Sequence, residues 1–271
     1  MPALTLASLF EELRVPRRGV IYLHSSMDWM WRAGLDTDEV LKTLTSWAGD
    51  RGTVVVPTFS FVRAHEEYLR TNPHMDVRTT PTQAGLLNEL VRRLPGARRS
   101  LDPDMSVAAI GADASAIVGD RPTGADPKGP DSPFHRILAS GGTLLGLGVT
   151  PNYMSMTHVV DARFRHRYPF PVYSAHTYSA TSTDYDGIVH SVHKHAVLNN
   201  VEINIKPSRQ VELVPSGSDI YRSILVEGSI FFRWSLPGWE EICTRHVEDR
   251  LRSGRGPCWH DQVALAHGAK A

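Results

Sequence analysis

The sequence predicts a three-layer α/β/α fold with a largely parallel central sheet and an antiparallel β insertion in the C-terminal half. Short apolar runs typical of buried strands alternate with segments whose apolar residues recur at helical spacing. This alternation is typical of strands covered by helices on both faces. Beyond about residue 168 the chain becomes rich in Tyr, Val, Thr and Ser, which favours short antiparallel strands. We expect one domain over residues 1–271, with a β-rich insertion at about 168–234.

The individual elements follow from the apolar spacing. Leu6, Leu9, Phe10 and Leu13 share one face of a predicted helix over 4–14. Further helices are predicted at 36–47, 85–94, 113–118, 133–138 and 236–253, and strands at 19–24, 52–57, 106–111 and 142–148. Residues 60–80 have no clear period and are predicted to form a long polar loop, a kind of segment that is usually functional or disordered.

The composition excludes several classes of partner. Lys+Arg and Asp+Glu both total 29, so no overall field recruits nucleic acid or an anionic membrane. Cys243 and Cys258 have no CxxC or CxxH partner, which fits a reduced protein better than a disulfide framework. No run of eighteen apolar residues and no signal-like amino terminus occurs. We expect a soluble, cytoplasmic protein, monomeric or homodimeric.

The stretch from Ser155 to Asp161 carries the strongest chemical signal. His158 and Asp161 are three residues apart, so on a helix they lie on one face. The carboxylate can then orient the ring while the other ring nitrogen faces a cleft, which is the arrangement of a general base. The preceding apolar run 142–148 predicts a strand, and open α/β sheets bind ligands at such strand-to-helix junctions. The alternative is a structural His–Asp pair.

Several fragments, taken in order, resemble the aminoglycoside 3-N-acetyltransferase family. They are His24-Ser25-Ser26, the segments 52–59 and 76–81, Pro95 to Ser100 with Pro103 and Ser106, Gly129 to Pro133, and 143–149 before His158. Together they cover roughly residues 1–165. The resemblance implies an α/β enzyme that transfers an acetyl group from acetyl-coenzyme A to an amino group of a sugar-like ring.

The resemblance also implies roles for individual residues. His158 is the expected general base, and Asp161 stands where the family usually has a glutamate. Asp76 is expected to help bind the cationic acceptor, with Glu66 beside it in the polar loop, although Asp76 can equally cap a turn. The expected coenzyme contacts are His24, Ser25, Ser26, Thr58, Arg99 and Ser106. No metal is expected.

The chemistry also follows from general principles. A protonated amine has no lone pair, so its attack on a thioester requires a base for the proton and donors for the growing oxyanion. His158 meets the first need, and backbone N–H groups near Ser25-Ser26 are candidates for the second. Arg98, Arg99, Ser106 and helix amino termini can hold coenzyme phosphates; the alternative is that the two arginines form only a solvated turn.

Three departures from the family pattern concern the acceptor more than the coenzyme. Asp102 occupies a position where relatives commonly have histidine, Asp161 is one methylene shorter than the family glutamate, and the chain after about residue 168 has little correspondence. The acceptor is expected to be an aminoglycoside antibiotic or, alternatively, a nucleotide-linked or biosynthetic amino sugar.

Other readings remain open from the sequence. A hydrolase would use Ser25 or Ser26 as a nucleophile with His158, although no Gly-x-Ser-x-Gly elbow is present. A protein that only binds coenzyme A or sugar would not need His158. His190, His193 and His195 suggest a metal site, but no Cys or acidic partner follows at ligand spacing. Neither cysteine has the setting of an acyl-carrying nucleophile.

Overall fold

The computed structural model describes residues 5–32, 34–62 and 64–268 of the 271-residue chain. Its strands are β1 (Val20–Ser25), β2 (Thr53–Pro57), β3 (His74–Asp76), β4 (Arg98–Arg99), β5 (Val107–Gly111), β6 (Thr143–Leu147), β7 (Tyr173–Thr183), β8 (Val189–Val197), β9 (Tyr221–Val226) and β10 (Ser229–Ser235). Its helices are α1 (Leu6–Glu12), α2 (Asp28–Arg32), α3 (Thr37–Ala48), α4 (His65–Leu69), α5 (Leu86–Arg93), α6 (Ala114–Val118), α7 (Pro133–Ala139), α8 (Thr157–Phe164), α9 (Asn199–Asn204), α10 (Leu236–Arg252) and α11 (Asp261–Ala266).

The central sheet has the strand order β4-β5-β2-β1-β6-β10-β9 within the described ranges. Five of its strands run in one direction, whereas β5 and β10 run in the other. Parallel pairing is therefore confined to β2-β1-β6 at the centre, and the outer strands pair antiparallel. The loop between β4 and β5 is short enough for a hairpin-like return, whereas a parallel neighbour needs a longer crossover.

Two apolar cores cover the two faces of this sheet, which confirms the three-layer prediction. Alternate residues of one strand point to opposite faces. Tyr22 accordingly packs in a core with α6, α7, α8 and α10, while Ile21 and Leu23 pack in a second core with α1, α3 and α5. The strand at 19–24 thus contributes to both cores.

A small sheet of β3, β7 and β8 lies apart from the central one. β7 and β8 form an antiparallel hairpin, and β3 pairs parallel to β7. The antiparallel hairpin expected in the C-terminal half is therefore present at 173–197. The strands at 221–235 instead extend the central sheet, because β10 pairs with β6 and buries Phe231, Phe232 and Trp234 in its cores.

The polar segment at 60–80 is more ordered than the expected loop. It contains the short helix α4 and the strand β3. β3 pairs with β7, which lies more than a hundred residues further along the chain. This long-range pairing provides backbone hydrogen bonds that the local sequence pattern does not predict. None of the helices in the described part of the chain is long and apolar enough to cross a membrane.

The chain turns sharply at Gly148, directly after β6, and this turn directs it toward the candidate site. Gly148 has a φ of +66°, and a Cβ there would come within 1.6 Å of the Trp29 ring. Only glycine therefore allows the chain to leave β6 against α2. This turn leads through Ser155 into α8.

Candidate active site

The predicted His158–Asp161 pair is present on the first turns of α8. His158 Nδ1 lies 2.9 Å from Asp161 Oδ2. Since an ionised carboxylate can only accept, Nδ1–H is the donor and Nε2 carries the free lone pair. The His158 side chain keeps 15% of its surface exposed, and Nε2 has no hydrogen-bond partner among the described residues. The ring thus has the form of a general base.

Asp161 is fully buried and saturated with donors. Its Oδ1 accepts hydrogen bonds from His260 Nε2 at 2.9 Å, Tyr168 Oη at 3.2 Å and Trp259 Nε1 at 3.3 Å. Burial by itself raises the pKa of Asp161. The attraction of His260 and the hydrogen bonds from the two histidines outweigh it and hold the pKa well below its usual range. The carboxylate is therefore ionised and fixed in orientation.

The environment keeps His158 neutral near pH 7. Burial lowers the pKa of His158, the hydrogen bond to Asp161 opposes this effect, and the charge of Lys128 lowers the pKa further. The net pKa lies below the usual histidine value. A neutral imidazole with an open Nε2 can accept a proton at physiological pH.

A cleft of about 660 Å³ opens at the carboxyl ends of the central parallel strands. Its walls come from residues 24–27 after β1, residues 57 and 59 after β2, residues 83–86 and 88 at the start of α5, and residues 148–150, 153 and 155 after β6. His158 does not line this cleft. It follows the lining residue Ser155 by three positions.

His24, Ser25 and Ser26 line this cleft, and their contact with the coenzyme stays a prediction. His24 Nε2 lies 3.3 Å from Ser155 Oγ, which in turn contacts Tyr22 Oη at 2.7 Å. Burial lowers the pKa of His24 to about 3, with a further contribution from the charge of Lys128. His24 is therefore a neutral polar wall of the cleft.

The amino terminus of α5 contributes backbone donors to the same cleft. Gly85 precedes the helix with a φ of +115° and provides no side-chain cap. The first N–H groups of a helix lack intrahelical partners and attract anions. The sequence predicted a helix at 85–94 and made helix amino termini candidate phosphate donors, but it did not single out this one; Gly85 before the apolar helical period is a possible signal.

Thr58, Arg99 and Ser106 come together, but outside the cleft lining. All three are nearly or fully buried. The Arg99 guanidinium donates to Thr58 Oγ1, Thr58 O, Ser106 Oγ, Ser60 Oγ and Thr80 O. At least four of its five N–H groups are thus paired within the protein and the side chain is 1% exposed, which favours a structural role; coenzyme contact by Arg99 stays a prediction. The network fixes the segment that carries Pro57 and Phe59 into the cleft wall.

The two expected acceptor contacts lie outside this cleft lining. Glu66 accepts hydrogen bonds from Tyr178 Oη at 2.7 Å and from Arg70 at 2.8 Å, and these interactions lower its pKa despite partial burial. Asp76 Oδ1 accepts from the backbone N–H groups of residues 78 and 79, which is the turn-capping alternative. Acceptor binding by both residues stays a prediction.

Asp102, one of the three expected departures from the family pattern, has a buried cationic partner. Its Oδ1 accepts a hydrogen bond from Lys194 Nζ at 2.9 Å, and both side chains are buried. Lys194 lies on β8, so this ion pair joins the hairpin to the loop after β4. The aspartate is therefore accounted for by the hairpin lysine.

The three β8 histidines take separate partners. His190 contacts Asp184 at 2.7 Å, His193 contacts Ser179 Oγ, and His195 Nδ1 donates to Ser174 O. Across the residues that the structure describes, no three His, Cys, Asp or Glu side chains are grouped so as to hold a metal ion. Cys243 and Cys258 are free and buried, and burial raises both thiol pKa values.

Comparison with known proteins defines the family. The model for the family described as aminoglycoside 3-N-acetyltransferase matches residues 22–209. The chain belongs to this family. The match includes His158 and Asp161 but ends before Trp259 and His260, which contact the dyad carboxylate from the C-terminal segment.

Two curated relatives are 30–33% identical to this chain over the matched regions. Aminoglycoside N(3)-acetyltransferase VII of Streptomyces paromomycinus is 33% identical over 155 residues, covering 52% of this chain and 54% of the relative. The corresponding enzyme IX of Micromonospora chalcea is 30% identical over 156 residues, or 53% of this chain and 55% of the relative. The chain thus spans about half the length of the curated relatives it matches.

Solved structures share the fold over nearly the whole chain. AAC-IIIb in a binary complex with CoASH has a TM-score of 0.71 at 20% identity, covering 90% of this chain and 95% of that chain. AAC(3)-Xa has a TM-score of 0.69 at 24% identity, covering 90% of this chain and 91% of that chain. At these identities the likeness concerns the fold.

Proposed function

We propose that the protein transfers an acetyl or other short acyl group from coenzyme A to an amino group of an aminoglycoside. The observation that carries this proposal is the oriented, neutral His158 with an open Nε2. Membership of the aminoglycoside 3-N-acetyltransferase family supports the acceptor class. A nucleotide-linked or biosynthetic amino sugar is the alternative acceptor.

The cleft fits the extended arm of acetyl-coenzyme A. Its volume of about 660 Å³ lies within the usual range of small-molecule sites. Backbone N–H groups at the start of α5 are suited to the coenzyme phosphates, and His24, Ser25 and Ser26 to the polar groups of the arm. The buried network of Thr58, Arg99 and Ser106 acts by holding the wall. The structurally similar AAC-IIIb is a complex with CoASH, which supports this use of the cleft.

The reaction is a direct transfer in a ternary complex. His158 Nε2 takes a proton from the acceptor ammonium, and the freed nitrogen attacks the thioester carbonyl. The C–N bond forms, the carbonyl becomes an oxyanion, and its collapse breaks the C–S bond. The attacking nitrogen releases its second proton to solvent and the imidazolium returns the first to the leaving thiolate, so the products are an N-acyl amine, free coenzyme A and one proton. Asp161 stabilises the imidazolium during transfer.

The hydrolase alternative lacks its catalytic geometry. Ser25 and Ser26 have no hydrogen bond to His158. Among the residues that the structure describes, the serine–histidine contact at the cleft joins Ser155 to His24, whose pKa of about 3 makes it a weak base. No carboxylate orients His24 among the described residues. The arrangement therefore favours amine acylation.

The test is a thiol-release assay with acetyl-coenzyme A. The acceptors are a panel of aminoglycosides, a panel of nucleotide-linked amino sugars, and a sugar of similar size without an amine as the matched control. We expect thiol release with an aminoglycoside and a product that has gained one acetyl group by mass spectrometry. Release with the control sugar supports a hydrolase. Coenzyme binding without release for any acceptor overturns the proposed activity.

A further inference from the structure

Lys128 is a buried lysine beside the candidate base. It lies in the segment between α6 and α7 and is 1% exposed. Its Nζ donates to Ser155 O at 2.7 Å. The ammonium also lies 4.5 Å from the ring centre of Phe134 and 5.6 Å from that of Phe59. Across the described residues no carboxylate is close enough to form an ion pair with it.

A charge in this setting is costly. Burial lowers the pKa of Lys128 to about 7, against the attraction of Asp104, Asp161 and Glu202. The faces of Phe134 and Phe59 offset part of the free energy lost on dehydration of the ammonium, because cation–π contacts stabilise it. One hydrogen bond to a carbonyl does not require a charged donor, since a neutral amide satisfies the same acceptor. The ammonium is therefore expected to act on neighbours other than Ser155.

Those neighbours are the two imidazoles of the site. Ser155, which accepts from Lys128 through its carbonyl, contacts His24 through its hydroxyl and precedes His158 by three residues. Lys128 thus holds the chain between the cleft wall and the first turn of α8. Its charge lowers the pKa of both His24 and His158.

We propose that Lys128 is a positioning residue that fixes the entrance of α8 and places a buried positive charge at the segment that leads to His158. The consequence for catalysis rests on the proposed acyltransfer, in which His158 must be neutral to accept a proton. Lys128 needs no contact with either substrate for this role. It acts through the base.

The charged groups around the pair act in known directions. Asp161 favours the protonated form of His158, whereas Lys128 and His260 oppose it. The Tyr173 hydroxyl donates to the His158 carbonyl, and burial raises the pKa of Tyr173 well above the usual value, so it stays neutral. The pKa of Lys128, about 7, lies above the lowered pKa of His158, so Lys128 is mostly charged where His158 titrates.

Two substitutions separate the charge from the hydrogen bond. Lys128→Gln removes the charge and keeps a donor for Ser155 O, whereas Lys128→Met removes both. Lys42→Gln is the matched control, since Lys42 is exposed on α3 at the opposite face of the sheet. The measurement is the titration of the His158 imidazole by NMR in the full chain without substrates, with the resonance assigned by its loss in His158→Gln.

We expect the His158 midpoint to rise by about one pH unit in both Lys128 variants and to stay unchanged in Lys42→Gln. The acid limb of kcat/KM then moves to higher pH by the same amount, a roughly tenfold loss below the midpoint. An unchanged midpoint in folded Lys128→Gln overturns the proposal. Because the NMR titration needs no turnover, a shifted midpoint in a protein without transferase activity supports the role of Lys128 and refutes the proposed function.

Discussion

Two histidine–aspartate pairs in this molecule have the same chemistry and different surroundings. His158 and Asp161 are joined at 2.9 Å, and His65 and Asp104 at 3.2 Å. His65 is fully buried, and its Nδ1 also accepts the backbone N–H of Val197 at 3.0 Å. Both of its nitrogens are therefore used. The difference teaches that a free ring nitrogen, more than a carboxylate partner, distinguishes a base from a structural link.

The second pair belongs to the network that attaches the β7-β8 hairpin. Asp104 lies 4.0 Å from Lys194 Nζ on β8, and His65 begins α4 and bonds the end of β8. Burial alone raises the pKa of Asp104, but Lys194 and His65 outweigh it and lower the pKa to about 2. The charge of Asp104 is balanced by Lys194 and by the hydrogen bond from His65. We therefore expect this network to stabilise the fold rather than to take part in catalysis.

Replacing each of the two histidines with alanine is expected to give the largest difference between the catalytic pair and the structural pair. His158→Ala is expected to lower kcat by roughly 10²–10⁴-fold, because it removes the base, and to leave coenzyme A binding intact. His65→Ala is expected to cost about 3 kcal/mol of unfolding free energy, since it leaves buried Asp104 without one donor, and to change kcat of the folded protein only slightly. Steady-state kinetics and urea unfolding measure both. Equal kinetic losses in the two variants remove the distinction.

Asp161→Asn sharpens the comparison within the catalytic pair. If the amide oxygen keeps the three donors on Oδ1, the amide nitrogen donates to His158 Nδ1 and leaves the ring proton on Nε2. The lone pair then points away from the acceptor. We expect kcat to fall by about 10²-fold with little change in coenzyme binding. Turnover within threefold of the wild type contradicts the role assigned to Asp161.

Asp104→Asn tests the structural pair through pH. The folded pKa of about 2 lies below the unfolded value of about 3.9, so the carboxylate stabilises the fold above about pH 4. This contribution is lost as the pH falls through 2. We expect Asp104→Asn to cost about 3 kcal/mol at pH 7, with a smaller difference from the wild type at pH 3. Urea unfolding across this range measures it, and a pH-independent difference argues against the assignment.

Glu66→Gln is expected to have the smallest effect. The Glu66–Arg70 pair is at the surface, so the unfolding free energy should change by about 0.5 kcal/mol. If Glu66 attracts the cationic acceptor, KM for the acceptor rises a few-fold while kcat is unchanged. Glu67→Gln is the neighbouring control. Identical KM values in the two variants and the wild type would show that the predicted acceptor role is wrong.

Local patterns predicted much of this molecule. The apolar alternation gave the layers, and the three-residue spacing placed His158 and Asp161 on one face of a helix. Strand partners were harder, because β5, β9 and β10 have ordinary apolar patterns that do not reveal direction or sheet. The 60–80 segment looked like a loop because β3 pairs with a strand about a hundred residues away.

Contacts between residues far apart in the sequence also explain why parts of the site were not predicted. Trp259 and His260 reach Asp161 across about a hundred positions, and no local pattern marks them as its partners. Arg99 was expected to contact the coenzyme because of the family resemblance and its positive charge, yet folding surrounds it with carbonyl and hydroxyl acceptors. Lys128 gave no signal because its burial depends on Phe59, Phe134 and the Ser155 carbonyl.

The most direct measurement is diethyl pyrocarbonate labelling of the folded protein, followed by peptide mass spectrometry and activity assay. The reagent acylates unprotonated, accessible imidazole nitrogens. The expected result is that labelling of His158 parallels the loss of thiol-release activity, that coenzyme A with acceptor slows both, and that His65 stays unlabelled. Full labelling of His158 with activity retained, or complete inactivation with His158 unlabelled, would contradict the assignment of His158 as the open base.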